Sequence, residues 1–447
     1  METQTLLPGF VLPETLPGGD DSSIPAPVGL SESTPGSLHE ELARFTAFGT
    51  STVSSDIAWQ ASEGVTRTTP CYLNEFWTAR QRAAHSLHEI SYRACFKPQL
   101  PRFFIERLSR PGDVVYDPFM GRGTTLLEAA LLGRTPFGTD LNPLSQTLIR
   151  PRLNPPSLEE VRTRLETIPL RTGEPGPEAL LTFYHPETLE EICGLRRFIL
   201  EHQADGNLEP VDEWIAMVAL NRLTGHSPGF FSVYTMPPNQ AVSVESQRKI
   251  NERRHQVPPR RRVADLILRK SKSLLMDCTP ALRRQLAGLS EGAMTLTADA
   301  TATPDIPNGS VALAVTSPPF LNIVNYALDN WLRCWFLGGD AKAVQLTTPS
   351  RVEIWQAVMT RVFLELKRVV RPGGHVAFEV GEVKNGTVQL ETAVLPAGLA
   401  AGLEPELVLI NAQDFTKTAN CWGVDNNTKG TNTNRVVLFR RTVVGKR

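Results

Sequence analysis

A strand, a glycine turn and a helix follow one another at residues 114–132, and that succession commits the chain to an α/β fold. Val114-Val115-Tyr116 reads as a buried strand. Asp117-Pro118-Phe119-Met120-Gly121-Arg122-Gly123-Thr124-Thr125 reads as the turn, and Leu126 to Leu132 has helical spacing. Glycines at 121 and 123 let backbone N–H groups approach a ligand closely, and the helix N-terminus behind them favours a carboxylate or phosphate. The third glycine of a dinucleotide fingerprint is missing, and so is the Gly-Lys-Ser/Thr of a P-loop. About twenty residues on, a second strand ends at Asp140, an acid placed to take both hydroxyls of a ribose. A third strand, Ala293 to Thr297, ends near Asp299, which is placed to accept from an adenine amine.

The second constraint is Ser317-Pro318-Pro319-Phe320, just past the apolar run Val311 to Val315. Two prolines cannot continue a sheet ladder, so the strand stops and the chain turns rigidly. A hydroxyl, a carbonyl and an aromatic face are thereby held at a strand's carboxyl edge, where open α/β sheets hold ligands. That set suits an exocyclic amine: two acceptors for its N–H bonds and a ring to stack on its base.

Together these segments resemble the S-adenosylmethionine-dependent DNA amino-methyltransferases. Asp117, Pro118, Phe119, Gly121, Gly123 and Thr124 look like that family's cofactor loop, Asp140 like its ribose acid and Asp299 like its adenine-side acid. Ser317–Phe320 looks like its catalytic motif in the form more usual for cytosine N4 than for adenine N6, where Asp commonly replaces Ser. Phe96-Lys97-Pro98-Gln99-Leu100 resembles the segment that closes over the methionine end, with Lys97 facing the cofactor carboxylate. Leu366 to Gly374 is similar to the helix and turn before the fifth strand. The resemblance covers roughly residues 90–150 and 292–440. It implies a Rossmann-like α/β fold: a mostly parallel seven-stranded sheet whose final strand is antiparallel, with an inserted, mainly helical lobe. It implies S-adenosyl-L-methionine as cofactor and methyl transfer to N4 of a cytosine flipped out of duplex DNA. Ser317 and the Pro318 carbonyl accept from the amine, Pro319 holds the turn and Phe320 stacks on the base. Adenine-N6 transfer, an RNA substrate and an inactive DNA-binding relative are the alternatives. Asn322 and Tyr326, just beyond the motif, line the pocket, contact the orphan base or simply start a helix.

The chain's 447 residues exceed one typical domain. Four segments are expected. Residues 1–37 form a disordered arm; 38–150 hold N-terminal helices, one near 73–91, and the cofactor loop. Residues 151–290 form the helical, basic lobe that reads the target, and 291–447 carry the catalytic motif. A polar loop at 414–434 is expected near the DNA. The six cysteines show no paired spacing, so neither a metal site nor a disulfide framework is expected. No apolar run nears the ~18 residues of a membrane span, and the start of the chain does not read as a signal peptide, so the expected compartment is the cytoplasm. The net charge of −1 argues against a nucleic-acid partner, but its distribution argues for one. Between Glu245 and Leu275 ten Lys/Arg face three acids, among them Arg253, Arg254, Arg260, Arg261 and Arg262. Such a run is either an electrostatic footprint for phosphates or a solvated basic helix pair. Beside a base-modifying site it reads as a contact to double-stranded DNA. A cognate restriction endonuclease is the further partner that the resemblance allows.

Overall fold

The computed structural model describes residues 37–78, 84–92, 95–236, 241–319, 326–340, 351–380, 389–412 and 433–443. One nine-stranded sheet runs in the order β1-β2-β8-β9-β7-β6-β3-β4-β5. The strands are β1 Val53–Ser62, β2 Val65–Asn74, β3 Val114–Asp117, β4 Thr135–Asp140, β5 Met294–Thr297, β6 Val311–Thr316, β7 Val370–Val380, β8 Glu404–Ala412 and β9 Thr433–Arg440. Strands β5, β4, β3, β6 and β7 are parallel neighbours, and β9 enters between β7 and β8 antiparallel to both. This is the Rossmann-like methyltransferase sheet, and the strand order itself establishes it.

The helices are α1 Leu38–Ala43, α2 Gln99–Leu108, α3 Thr124–Leu131, α4 Leu144–Leu153, α5 Leu158–Thr167, α6 Pro186–Ala204 and α7 Pro210–Leu220. They continue with α8 Val244–Arg254, α9 Val263–Leu274, α10 Pro280–Ser290, α11 Tyr326–Phe336, α12 Val352–Val369 and α13 Glu391–Ala400. Strand β6 is buried at every residue because both sheet faces are covered. Its Val311 and Ala314 pack with Trp355, Phe363 and Val394 of α12 and α13. Its Leu313 and Val315 pack with Phe103, Phe104 and Ile105 of α2.

Helices α4–α10 are inserted between β4 and β5. Their centre is α7, where Trp214 through Leu220 are all buried; a helix apolar all round belongs in the middle of a lobe. The same cluster includes Leu126, Leu127 and Ala130 of α3 and Leu332 and Phe336 of α11. The lobe therefore packs directly on the helix after the glycine turn and on the helix after the double-proline motif.

Two expectations are corrected. The helix near 73–91 is not formed in the described part of that span; β2 ends at Asn74, and only a 3-10 turn, Ser86–His88, follows. The reason lies in local pairing. β1 and β2 make an antiparallel hairpin, β2 adds parallel to β8, and Asn411 of β8 accepts the N–H groups of Phe76 (2.6 Å) and Trp77 (3.1 Å). The sheet thus gains two strands beyond the seven expected. Within the lobe, Val263–Leu286 divides into α9 and α10, because Thr279 caps a new helix with Pro280 at its first turn. The arm at 1–36 and most of the polar 414–434 loop lie outside the described residues.

Candidate active site

The two motifs meet at neighbouring strand ends. β3 and β6 are hydrogen-bonded parallel partners, so the glycine turn after Asp117 and the prolines after Thr316 leave the same edge side by side. Two side chains fasten them. Thr316 donates to Asp117 Oδ1 at 2.6 Å, and Thr125, in the first turn of α3, donates to the Val315 carbonyl at 3.1 Å. Asp117 is 2% exposed and also takes the Phe119 N–H at 3.0 Å. Burial raises its carboxyl to about 6, although these donors pull the other way. Its carboxylate points into the strand junction and holds the loop's shape. Thr316 carried no signal of its own in the sequence.

The loop is formed as its glycines require. Gly121 and Gly123 both have positive φ, 48° and 79°, and a side chain at 123 meets Ile149 at 2.6 Å. Pro118 is buried, its carbonyl accepting from Thr139 at 3.1 Å; Phe119 is half-buried, and Thr124 is covered at the start of α3. Asp140 Oδ2 accepts the Gly121 N–H and Oδ1 the Asn142 N–H, both at 2.8 Å. Beyond these two N–H groups the carboxylate has further acceptor capacity, which fits a ribose diol. Burial raises the Asp140 carboxyl. Asp299 is exposed just beyond β5, next to β4 in the sheet, with Oδ1 on the Thr301 N–H at 2.8 Å. Lys97 is half-buried immediately before α2, and burial, with a smaller push from Arg122 of the loop, lowers its pKa.

A strap at residues 85–92 closes the loop from the lobe side. Arg122 is buried and donates to the Ile90 carbonyl at 3.0 Å, and His88 Nε2 meets Glu128 of α3 at 2.7 Å. Burial lowers the pKa of His88, which is neutral and donates there. The Tyr92 ring stands 3.5 Å from a Cβ built on Gly121. Arg333 of α11 donates to the Ser91 carbonyl at 3.2 Å, tying strap, loop and catalytic-side helix together.

Behind Ser317 lies the residue that sequence reading passed over. Glu379 of β7 is 5% exposed; the Ser317 hydroxyl donates to its carboxylate, and Asn434 of β9 donates to it at 3.1 Å. Burial raises the Glu379 carboxyl against both bonds. The available signal was an acid inside His375-Val376-Ala377-Phe378-Glu379-Val380, an otherwise apolar strand end. Pro318 is buried, and no hydrogen bond from the described residues reaches its carbonyl. The Pro319 carbonyl accepts from the Trp355 indole at 3.1 Å, which fixes the corner. Phe320 and Asn322 lie outside the described residues, as does the side chain of Tyr326, the first residue of α11.

The basic run is partly neutralised. Arg260 pairs with Glu187 at 2.9 Å and Arg262 with Asp265 at 3.5 Å, while the Arg254 guanidinium lies 3.8 Å over the Tyr234 ring. The Arg261 backbone exchanges hydrogen bonds with the Thr188 hydroxyl, and Arg253 is exposed on α8. Among the described residues, no hydrogen bond or ion pair joins any of these to the motif loops. What does link this part of the lobe to them is Trp331 of α11, whose indole donates to the Val242 carbonyl at 3.3 Å, two residues before α8.

Comparison with known proteins points the same way. Residues 51–149, the hairpin through the cofactor loop and Asp140, match the family model of N6/N4-type DNA methylases. The type II methyltransferase M.MjaII of Methanocaldococcus jannaschii is 30% identical over 95 residues, which are 21% of this chain and 18% of that protein. M.MvaI of Kocuria varians, also a type II methyltransferase, is 38% identical over 87 residues, 19% of each chain. The chain thus spans under a fifth of the length of these curated relatives. Among solved structures, geranyl diphosphate C-methyltransferase from Streptomyces coelicolor A3(2) aligns over 77% of this chain and 78% of its own, at 8% identity and a TM-score of 0.32. TrmN from Thermus thermophilus covers 80% of this chain and 51% of its own, at 14% identity and a TM-score of 0.30. Residues 51–149 thus carry a DNA-methylase segment, running from the hairpin to Asp140, within a sheet that has the strand order of the methyltransferase fold.

Proposed function

We propose that this protein is a site-specific DNA methyltransferase that moves a methyl group from S-adenosyl-L-methionine to the exocyclic N4 of cytosine. The observation that carries the reading is the adjacency of the glycine loop and the Ser317 corner on β3 and β6. The loop fits the cofactor: Asp140 offers acceptors for the ribose, Asp299 for the adenine amine, and Lys97, just before α2 and opposed by the charge of Arg122 in the loop, a cation for the carboxylate. When bound there, S-adenosyl-L-methionine supplies an electrophilic methyl on sulfonium.

The protein's share is to make a poor nucleophile react. The amine's lone pair is delocalised into the ring, and acceptors aimed at its protons draw the nitrogen towards tetrahedral geometry. Ser317 is prepared for this. Its own proton is given to Glu379, so its oxygen lone pairs are turned outward as acceptors. As the methylated nitrogen becomes cationic, one amine proton passes to Ser317 Oγ while the Ser317 proton passes to Glu379. Glu379 then carries the proton until solvent takes it. The raised pKa of Glu379 favours that transfer.

A base inside a duplex cannot reach this edge, so the target is flipped out at a cost of a few kcal/mol, offset by stacking and phosphate contacts. The inserted lobe at 151–290 reads the sequence around it. The protein works alone or beside a restriction endonuclease of the same specificity. Base-resolved methylation mapping of DNA from cells expressing the chain tests this. N4-methylcytosine in one recurring sequence is the expected result; N6-methyladenine alone would reassign the base, and unmodified DNA would reject the function.

A further inference from the structure

The lobe holds a pair of cations that its ion-pair network does not account for. Arg222 directly follows α7, half-buried, with its guanidinium stacked 4.1 Å over the Phe230 ring. Its Nε donates to the Asn221 carbonyl at 2.9 Å, and among the described residues no carboxylate is paired with it. Burial alone brings its pKa down to about 10. Lys270 of α9 is 13% exposed, and Arg222 opposes its charge. A single acid, the half-exposed Glu89, reaches Lys270, at 3.5 Å. Arg164, also half-buried in the lobe, is by contrast matched by both oxygens of Asp212 at 2.7 and 2.9 Å. Two mutually repelling cations with one peripheral acid are costly to desolvate, and an anion removes that cost.

Position says which anion. Asn221 accepts the Ser91 N–H at 2.9 Å, and the next residue, Tyr92, flanks Gly121 of the cofactor loop. Glu89, the partner of Lys270, belongs to the same strap. The cation pair is therefore joined to the wall of the active site, whereas Arg260 and Arg262 are already paired with acids. Gly229 lies beside Arg222 without a side chain: a Cβ built there is 3.9 Å from Nη1 and 3.6 Å from the Ser227 hydroxyl.

We propose that Arg222 and Lys270 form a phosphate-binding site that grips the nucleic-acid backbone near the flipped nucleotide. This rests on the DNA-methyltransferase reading and names the lobe residues that hold its substrate. The Phe230 stack fixes the guanidinium plane, so that its nitrogens meet phosphate oxygens without losing further side-chain freedom.

The test is binding of the full-length protein to a fixed duplex DNA, followed by fluorescence anisotropy across a salt series. Each phosphate contact contributes about 0.9 to the slope of log affinity against log salt. Arg222→Gln and Lys270→Gln are each expected to lower the slope by about one and the double variant by about two. Arg222→Lys should keep most of the slope, which a purely structural role for the guanidinium would not. Calorimetric affinity for S-adenosyl-L-methionine and the unfolding temperature should change little. Unchanged slopes in both single variants overturn the site, as does a slope that falls only together with a fallen unfolding temperature. Thermal-shift titration with inorganic phosphate separates the sources. Phosphate that stabilises the wild type but not the double variant, with DNA slopes unaltered, makes this a free-anion site and rejects the nucleic-acid assignment. Arg222-dependent DNA binding without methyl transfer rejects the proposed activity and leaves the site standing. Methyl transfer with an Arg222-independent slope does the reverse.

Discussion

Replacing Asp117 with Asn tests whether this buried carboxylate is a scaffold under electrostatic load. Asn keeps Oδ1 as an acceptor for the Thr316 hydroxyl and the Phe119 N–H, at 2.6 and 3.0 Å in the wild type. The Thr125 hydroxyl already gives its proton to Val315, so it can accept from the new amide. Shape and hydrogen bonds survive, and only the charge is lost. Burial moves the Asp117 carboxyl from 3.8 to about 6. Between those values the folded protein holds a proton that the unfolded chain releases. The contribution of Asp117 to stability therefore falls as pH rises through this window and is flat above it. At 1.36 kcal/mol per pH unit the full effect is about 3 kcal/mol. Asp117→Asn is thus expected to be more stable than wild type at pH 8, by up to about 3 kcal/mol, and close to equal near pH 4. Urea denaturation of both proteins at pH 4.5, 6 and 8 measures the difference directly, and other titrating groups cancel in it. A difference that does not vary with pH, or a variant less stable at pH 8, would refute the reasoning.

The remaining expectations concern catalysis and cofactor binding. Ser317→Ala removes an acceptor used in the transition state and should lower kcat by about 10²–10³ while sparing cofactor affinity; equal losses in both, by single-turnover kinetics and calorimetry, would make Ser317 structural. Glu379→Gln cannot take the Ser317 proton. Since burial raises the Glu379 carboxyl, wild-type turnover should decline on the acid side as it protonates, and the variant should be slow and lack that limb. A pH–rate profile with the same acid limb in both proteins would remove Glu379 from the mechanism. Asp140→Ala frees the N–H groups of Gly121 and Asn142 and should weaken S-adenosyl-L-methionine binding at least about tenfold, with kcat at saturation less affected. Unchanged calorimetric affinity would place the ribose elsewhere.

What the sequence disclosed, and what it withheld, follows from how locally each feature is encoded. The glycine turn and the double proline restrict backbone angles by themselves, so both strand ends and the carboxyl edge were legible from Asp117–Thr125 and Ser317–Phe320. The insertion between β4 and β5 was legible from apolar periodicity. The β1–β2 hairpin was not, although Val65-Thr66-Arg67-Thr68-Thr69 is rich in β-branched residues after a Ser62-Glu63-Gly64 turn. The aromatic segment Asn74–Trp77 resembles a helix start, and only Asn411, more than three hundred residues away, shows that its N–H groups are used outside a helix. Thr316 and Glu379 illustrate the same limit. Each is an ordinary strand residue until register places one against Asp117 and the other behind Ser317. Counting charges along the basic run ignores partners: Glu187 and Asp265 take up Arg260 and Arg262, while Lys270 inside the run meets only the half-exposed Glu89, and Arg222 outside it has no paired carboxylate among the described residues.

The central claim is that an exocyclic amine receives a methyl group against Ser317. Purified protein incubated with duplex DNA and isotopically labelled S-adenosyl-L-methionine, then digested to nucleosides for mass spectrometry, measures it directly. Label in N4-methylcytosine, cut at least about a hundredfold by Ser317→Ala, is the predicted result. Label in 5-methylcytosine, or label undiminished by Ser317→Ala, would contradict the account.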